Sequence, residues 1–78
     1  MFHKNKFKGK VVERGLTLAD VSAGIGVNPA TLTRKMSGES EFTRSEIQKI
    51  RNILELTDEE LNGIFFAEKL AETQGEEG

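Results

Sequence analysis

Between residues 16 and 61 the chain repeats one local pattern four times: an apolar residue, a residue able to cap a helix, then a second apolar residue four positions past the cap. Leu16-Thr17 leads to Val21, Val27-Asn28 to Leu32, Phe42-Thr43 to Ile47, and Leu56-Thr57 to Leu61. The Thr or Asn oxygen can accept a free N–H of the first helical turn, and the flanking apolar pair can close over it as a hydrophobic staple. Glu46 after Thr43 and Glu60 after Thr57 complete capping boxes, and Asp20 holds the equivalent place after Thr17. Pro29 falls at a first helical position, where its missing N–H matters least. Nowhere does the apolar pattern alternate with the period of two that a half-buried strand requires.

The stops agree with the starts. Gly15 and Gly38 stand where a left-handed residue closes a helix. A first helix is expected from about Asn5 to Arg14, with Phe7 and Val11 one turn apart and Gly9 as a weak interior position. The expectation is an all-α fold of five short helices occupying residues 1–70, followed by an acidic, solvated tail over residues 71–78. Seventy-eight residues suffice for one core only, since a chain this short buries about 60% of its unfolded surface. With no cysteine, neither a disulfide nor a thiolate metal site can help to hold it.

The formal net charge of -2 conceals a split. Residues 1–53 carry ten Lys and Arg against five acids, a balance of +5, whereas residues 54–78 carry one Lys against eight acids, a balance of -7. A polyanion responds to the local field, so the basic part can face phosphate while the acidic end points away. No apolar stretch is long enough to span a bilayer, and Met1-Phe2-His3-Lys4 lacks a signal-peptide core, which makes a cytoplasmic location the expectation.

The second and third expected helices are separated by only Gly24-Ile25-Gly26-Val27, a link suited to two helices crossing steeply, as in a helix-turn-helix. Val21, Ile25, Val27 and Leu32 can then point inward, and small Ser22 lets the two helices approach. The opposite side of the third helix carries Asn28, Ala30, Thr33 and Arg34. Those residue types suit a major groove. Arg34 can pair with the O6 and N7 of guanine, Asn28 can meet adenine, and Ala30 or the Thr33 methyl can touch a thymine methyl. Candidates for contact with backbone phosphates are Thr17, Lys35, Ser37, Ser40 and Arg44. Lys4, Lys6, Lys8 and Lys10 form a basic run that either tracks phosphate or is the wet face of the first helix.

The stretch LTLADVSAGIGVNPATLTRKMSG, residues 16–38, resembles the helix-turn-helix of the Cro and lambda-repressor-like proteins. The likeness runs on through Glu39-Ser40-Glu41-Phe42-Thr43, the helix bearing Ile47 and Ile50, and the start at Leu56-Thr57-Asp58-Glu59-Glu60-Leu61, reaching Leu70. The chain is similar to the small Cro-like regulators of Gram-positive prophages. That resemblance implies a five-helix fold, operator binding by the third helix, and a dimer on a palindromic site of double-stranded DNA. Two positions depart from the pattern. Leu18 stands where the family has a phosphate-holding Gln, and Ser22 where it has Ala.

Other chemistries find little support. His3 has no ligand partner at metal spacing, Gly24-Ile25-Gly26 follows no strand and lacks the third Gly of a nucleotide loop, and no nucleophile with a base can be assembled. The expectation is therefore a non-enzymatic, cofactor-free transcriptional regulator with no small-molecule ligand and no metal. In the fifth helix Leu61, Ile64 and Phe65 share one face and leave Phe66 about 100° away. Phe66 either packs near Phe2 or Phe7 or, with Leu70, forms a two-fold dimer contact. The rival function is a protein-interaction module, an antitoxin or anti-repressor partner on the same fold. An activator contacting polymerase through Glu68, Glu72, Glu76 and Glu77 is a further alternative.

Overall fold

The computed structural model describes residues 2–66. They form five helices: α1 (Lys4–Glu13), α2 (Leu18–Ile25), α3 (Pro29–Ser37), α4 (Arg44–Leu54) and α5 (Asp58–Phe65). Each of the four sequence caps acts as one. The side chains of Thr17, Asn28, Thr43 and Thr57 accept from the N–H groups of Asp20, Thr31, Glu46 and Glu60, at 3.1, 2.8, 3.1 and 3.1 Å. The reciprocal bonds from the cap N–H to Asp20, Glu46 and Glu60 close three full capping boxes. α1 opens one residue earlier than expected, because the His3 ring nitrogen Nδ1 accepts from the Lys6 N–H at 3.3 Å and serves as its cap.

Four helices end in the same paired arrangement, in which a left-handed residue donates three residues back and its successor donates five back. Gly15, Gly26 and Gly38 supply that residue for α1, α2 and α3, with φ of 72°, 81° and 92°. Glu55 does so for α4 at φ 53°, without the freedom of a glycine. The end of α4 has a second support. The Arg14 guanidinium, just beyond α1, donates to the carbonyls of Leu54 at 2.7 Å and Glu55 at 3.2 Å.

The core lies where α2 packs against α3 and α4 and where α1 meets α5. Phe7, Val21, Ile50 and Leu54 are wholly buried within it, joined by Val11, Ile25, Leu32, Met36, Leu56, Ile64 and Phe65. Truncating a buried Phe such as Phe7 to Ala would destabilise the domain by about 3–5 kcal/mol. The staple residues Leu16, Val27, Phe42 and Leu61 pack around this cluster half-buried. Phe2 stacks on Phe7, Phe42 and Phe65 with ring centres 5.0–5.2 Å apart, and the His3 N–H donates to the Ile64 carbonyl, so the N-terminal segment is fastened to α5.

Two expectations need correcting. Gly24 and Ile25 belong to the last turn of α2, so only Gly26, Val27 and Asn28 connect α2 to α3. Gly24 is there for proximity: a Cβ added to it would stand 2.5 Å from Ile53 Cδ1 on α4. The place against Phe2 goes to Phe65, while Phe66 leans on Phe65 at 6.3 Å and remains 37% exposed. Helical periodicity decides this, since Phe65 and not Phe66 shares the face of Leu61 and Ile64.

Candidate nucleic-acid interface

α3 is short, and its burial is one-sided. Leu32 and Met36 enter the core, whereas Ala30, Thr33, Arg34 and Ser37 are exposed. Spacings of three, four and seven residues put those four on a single stripe. Asn28 caps the start of the helix and is also exposed. The fold thus brings Asn28, Ala30, Thr33 and Arg34 together on one accessible helix, positioned by the core contacts of Leu32 and Met36. Ser22, buried to 1% on α2, allows the neighbouring helix to lie close, and its hydroxyl donates to the Ala19 carbonyl at 2.8 Å.

The hydrogen bonds show what this surface has left to offer. Asn28 commits its side-chain oxygen to the Thr31 N–H, so its amide NH₂ is the group that faces outward, and meeting adenine with both atoms would require giving up the cap. The Thr33 hydroxyl donates to the Pro29 carbonyl at 3.0 Å and keeps its acceptor lone pairs and its methyl. Arg34 makes no ion pair among the described residues, leaving its fork of donors available. Its carbonyl, in contrast, is fully used, accepting from Ser37 Oγ and from the N–H groups of Glu39 and Ser40.

The expected phosphate residues occupy dissimilar environments. Thr17 and Arg44 are exposed at the starts of α2 and α4, and Ser40 is exposed in the turn after α3. The Ser37 hydroxyl stands between the Arg34 carbonyl and the Glu39 carboxylate, so a phosphate there meets a nearby negative charge. Lys35 is placed otherwise than expected. Its ammonium lies 3.1 Å from Glu46, donates to the Glu41 carbonyl at 2.9 Å and sits 6.0 Å above the Phe42 ring, with only 11% of its side chain exposed. Burial pushes the Glu46 carboxyl up, but the Thr43 N–H and the Lys35 ammonium outweigh that and hold it below the ordinary carboxylate range. Lys35 therefore fastens the end of α3 to the start of α4, and its charge is satisfied within the protein.

Sequence reasoning missed the parts played by Glu55, Arg14 and Lys35, since each depends on residues distant along the chain or on a strained backbone angle. Nothing at Lys35 in the sequence distinguishes it from its neighbour Arg34 except helical phase. Lys35 falls about 100° from Arg34, towards the side of Leu32 and Met36.

A one-faced helix that carries Arg34 and is capped by Asn28, crossed by a partner helix after a three-residue turn, is what a major-groove reader requires. The family model of the Cro/C1-type HTH DNA-binding domain matches residues 9–66, from within α1 to the residue after α5. The chain belongs to the Cro/C1-type family. Its fold is accordingly the all-α, lambda-repressor-like arrangement, and DNA binding is the activity of the matched domain. Neither a curated protein nor a solved structure matches the chain. No helix among the described residues of this Cro/C1-type protein is long and apolar enough to cross a membrane, and none of their His, Asp and Glu side chains cluster as a metal site would need.

Proposed function

We propose that the protein is a sequence-specific transcriptional regulator of the phage Cro or repressor type, which inserts α3 into the major groove of operator DNA and acts in the cytoplasm by occupying promoter sites. The observation that carries this reading is the exposed stripe of Ala30, Thr33, Arg34 and Ser37 on a helix whose opposite face is buried. Arg34 reads guanine, the Asn28 amide and Thr33 contact adjacent base edges, and Ala30 meets a thymine methyl. Thr17, Ser40 and Arg44 supply backbone contacts, and Ser37 does so where Glu39 can turn aside. Lys35 contributes by holding α3 against α4.

A two-fold dimer on a palindromic operator completes the reading. Phe66 borders two shallow depressions, one shared with Phe2, Phe42 and Ile47 and the other with Arg44 and Gln48. An exposed aromatic beside apolar neighbours favours a contact between copies. Leu70, its expected companion, lies outside the described residues. The reading is tested by selecting bound fragments of the source genome on purified protein at about 150 mM salt. An inverted repeat with half-sites about one helical turn apart is expected, and recovery of no sequence above background would instead favour the protein-interaction module.

A further inference from the structure

The four lysines of α1 alternate along the chain, and the helix sorts them into two pairs. Lys4 and Lys8 are four residues apart and share a face, as do Lys6 and Lys10, with the two faces on nearly opposite sides. Lys6 and Lys10 line a depression with Glu13 and Glu60, where the Lys10 ammonium pairs with both carboxylates. Lys4 and Lys8 are exposed and make no ion pair among the described residues. They line a separate cleft of about 140 Å³, together with Leu18, Thr33, Met36 and Ser37.

That cleft adjoins the DNA-reading stripe, since Thr33 and Ser37 belong to both. Its lining includes two lysines and no acidic residue, and although the Ser37 hydroxyl meets Glu39 at 3.4 Å on one side, the Lys4 and Lys8 side of the cleft favours an anion. Leu18 cannot bind a phosphate through its side chain, and the cationic residues of the lining, Lys4 and Lys8, both come from α1. Both lysines precede the family match, which begins at residue 9.

We propose that Lys4 and Lys8 each neutralise a backbone phosphate of the DNA strand that runs along the α1 edge of α3. This rests on the reading of α3 as the groove-binding helix. Exposed lysines on a rigid helix fix the register of α3 in the groove without adding base preference, because the phosphates carry no sequence information.

The test uses the full chain and a duplex that the wild type selects from a random-sequence library, with binding titrated between 50 and 200 mM salt. Two phosphate contacts contribute about 1.8 to the slope of log K against log salt. A Lys4→Gln/Lys8→Gln variant is expected to show a slope shallower by about that amount, so its deficit relative to wild type narrows about 12-fold across the range. Lys6→Gln, on the other side of α1, is expected to keep the wild-type slope. Replacing contacted phosphates by neutral methylphosphonates is expected to weaken wild type and leave the double variant unaffected. An unchanged slope in the double variant, with wild type steeply salt-dependent, overturns the clamp and leaves the α3 reading standing. A wild type whose binding to the duplex lacks salt dependence overturns both. Thermal unfolding followed by circular dichroism verifies that the variants are folded.

Discussion

Replacing Glu55 by Gly should stabilise this domain, although it removes a side chain and adds no contact. Glu55 closes α4 at φ 53°, in the conformation that Gly15, Gly26 and Gly38 adopt for the other three turns of this type. Holding a residue with a Cβ there costs about 1–2 kcal/mol. A carboxylate at a helix C-terminus faces the negative end of the helix dipole, a further penalty of about 0.3–1 kcal/mol. Glycine returns roughly 0.5–1 kcal/mol through the greater freedom of its unfolded chain. The net expectation for Glu55→Gly is a gain of about 1 kcal/mol, which raises the melting temperature by about 4–8 °C in a domain this small. The Arg14 bond to the Glu55 carbonyl involves the backbone and is retained. Gly15→Ala is the reciprocal change. A Cβ at Gly15 meets nothing within 4 Å, so the expected loss of about 1 kcal/mol is conformational and owes nothing to a clash. Urea and thermal unfolding monitored by circular dichroism give both values. If Glu55→Gly is neutral or destabilising while Gly15→Ala destabilises, the Glu55 side chain is supplying stability and the backbone argument fails.

Three further outcomes follow from the same contacts. Arg14→Met should destabilise by about 2 kcal/mol in urea unfolding, because the carbonyls of Leu54 and Glu55 lose charge-assisted donors; a change below about 0.5 kcal/mol would mean that water replaces the guanidinium without loss. Glu60 is held down to about 2 by the Lys10 ammonium, with the Thr57 N–H adding to the effect, against an ordinary value of 4.5. A carboxyl depressed in the folded state contributes stability that is complete above its unfolded value and is lost as the pH falls towards its folded one. Stability should therefore decline between about pH 4.5 and pH 2, and a Glu60→Gln variant should decline less over that interval. Phe66→Asp should shift sedimentation at micromolar concentration from dimer to monomer, and a wild type that is already monomeric would remove the proposed two-fold contact.

The parts of the fold legible in the sequence are those written locally. Thr17, Asn28, Thr43 and Thr57 lie within three residues of the N–H groups they cap, and all four helix starts were plain from spacing. Glycines able to adopt positive φ marked two of the ends, at Gly15 and Gly38. The spacing puts the end of α2 before Gly24, although the helix runs on to Ile25 and closes at Gly26, and the end of α4 was hidden because Glu55 is intrinsically averse to the conformation it adopts. The exposed face of α3 was legible for the same local reason, since the periodicity that buries Leu32 and Met36 leaves Ala30, Thr33 and Arg34 outside. Long-range pairings were not legible. Lys35 meets Glu46, Arg14 reaches the end of α4, and Lys10 finds Glu60, each partner being chosen by how the helices pack. The division of the α1 lysines into two opposed pairs follows from a helix of the right phase, but which pair borders α3 depends on tertiary structure.

The central claim is that the exposed face of α3 reads base edges, and Arg34 is its most exacting member. Parallel selections from a random duplex library with wild type and Arg34→Ala measure it directly. The expected result is the same motif with preference relaxed at one base pair in each half-site and affinity for the wild-type sequence lowered by about 1–3 kcal/mol. An Arg34→Ala protein that recovers the wild-type motif with undiminished preference at every position would contradict the claim.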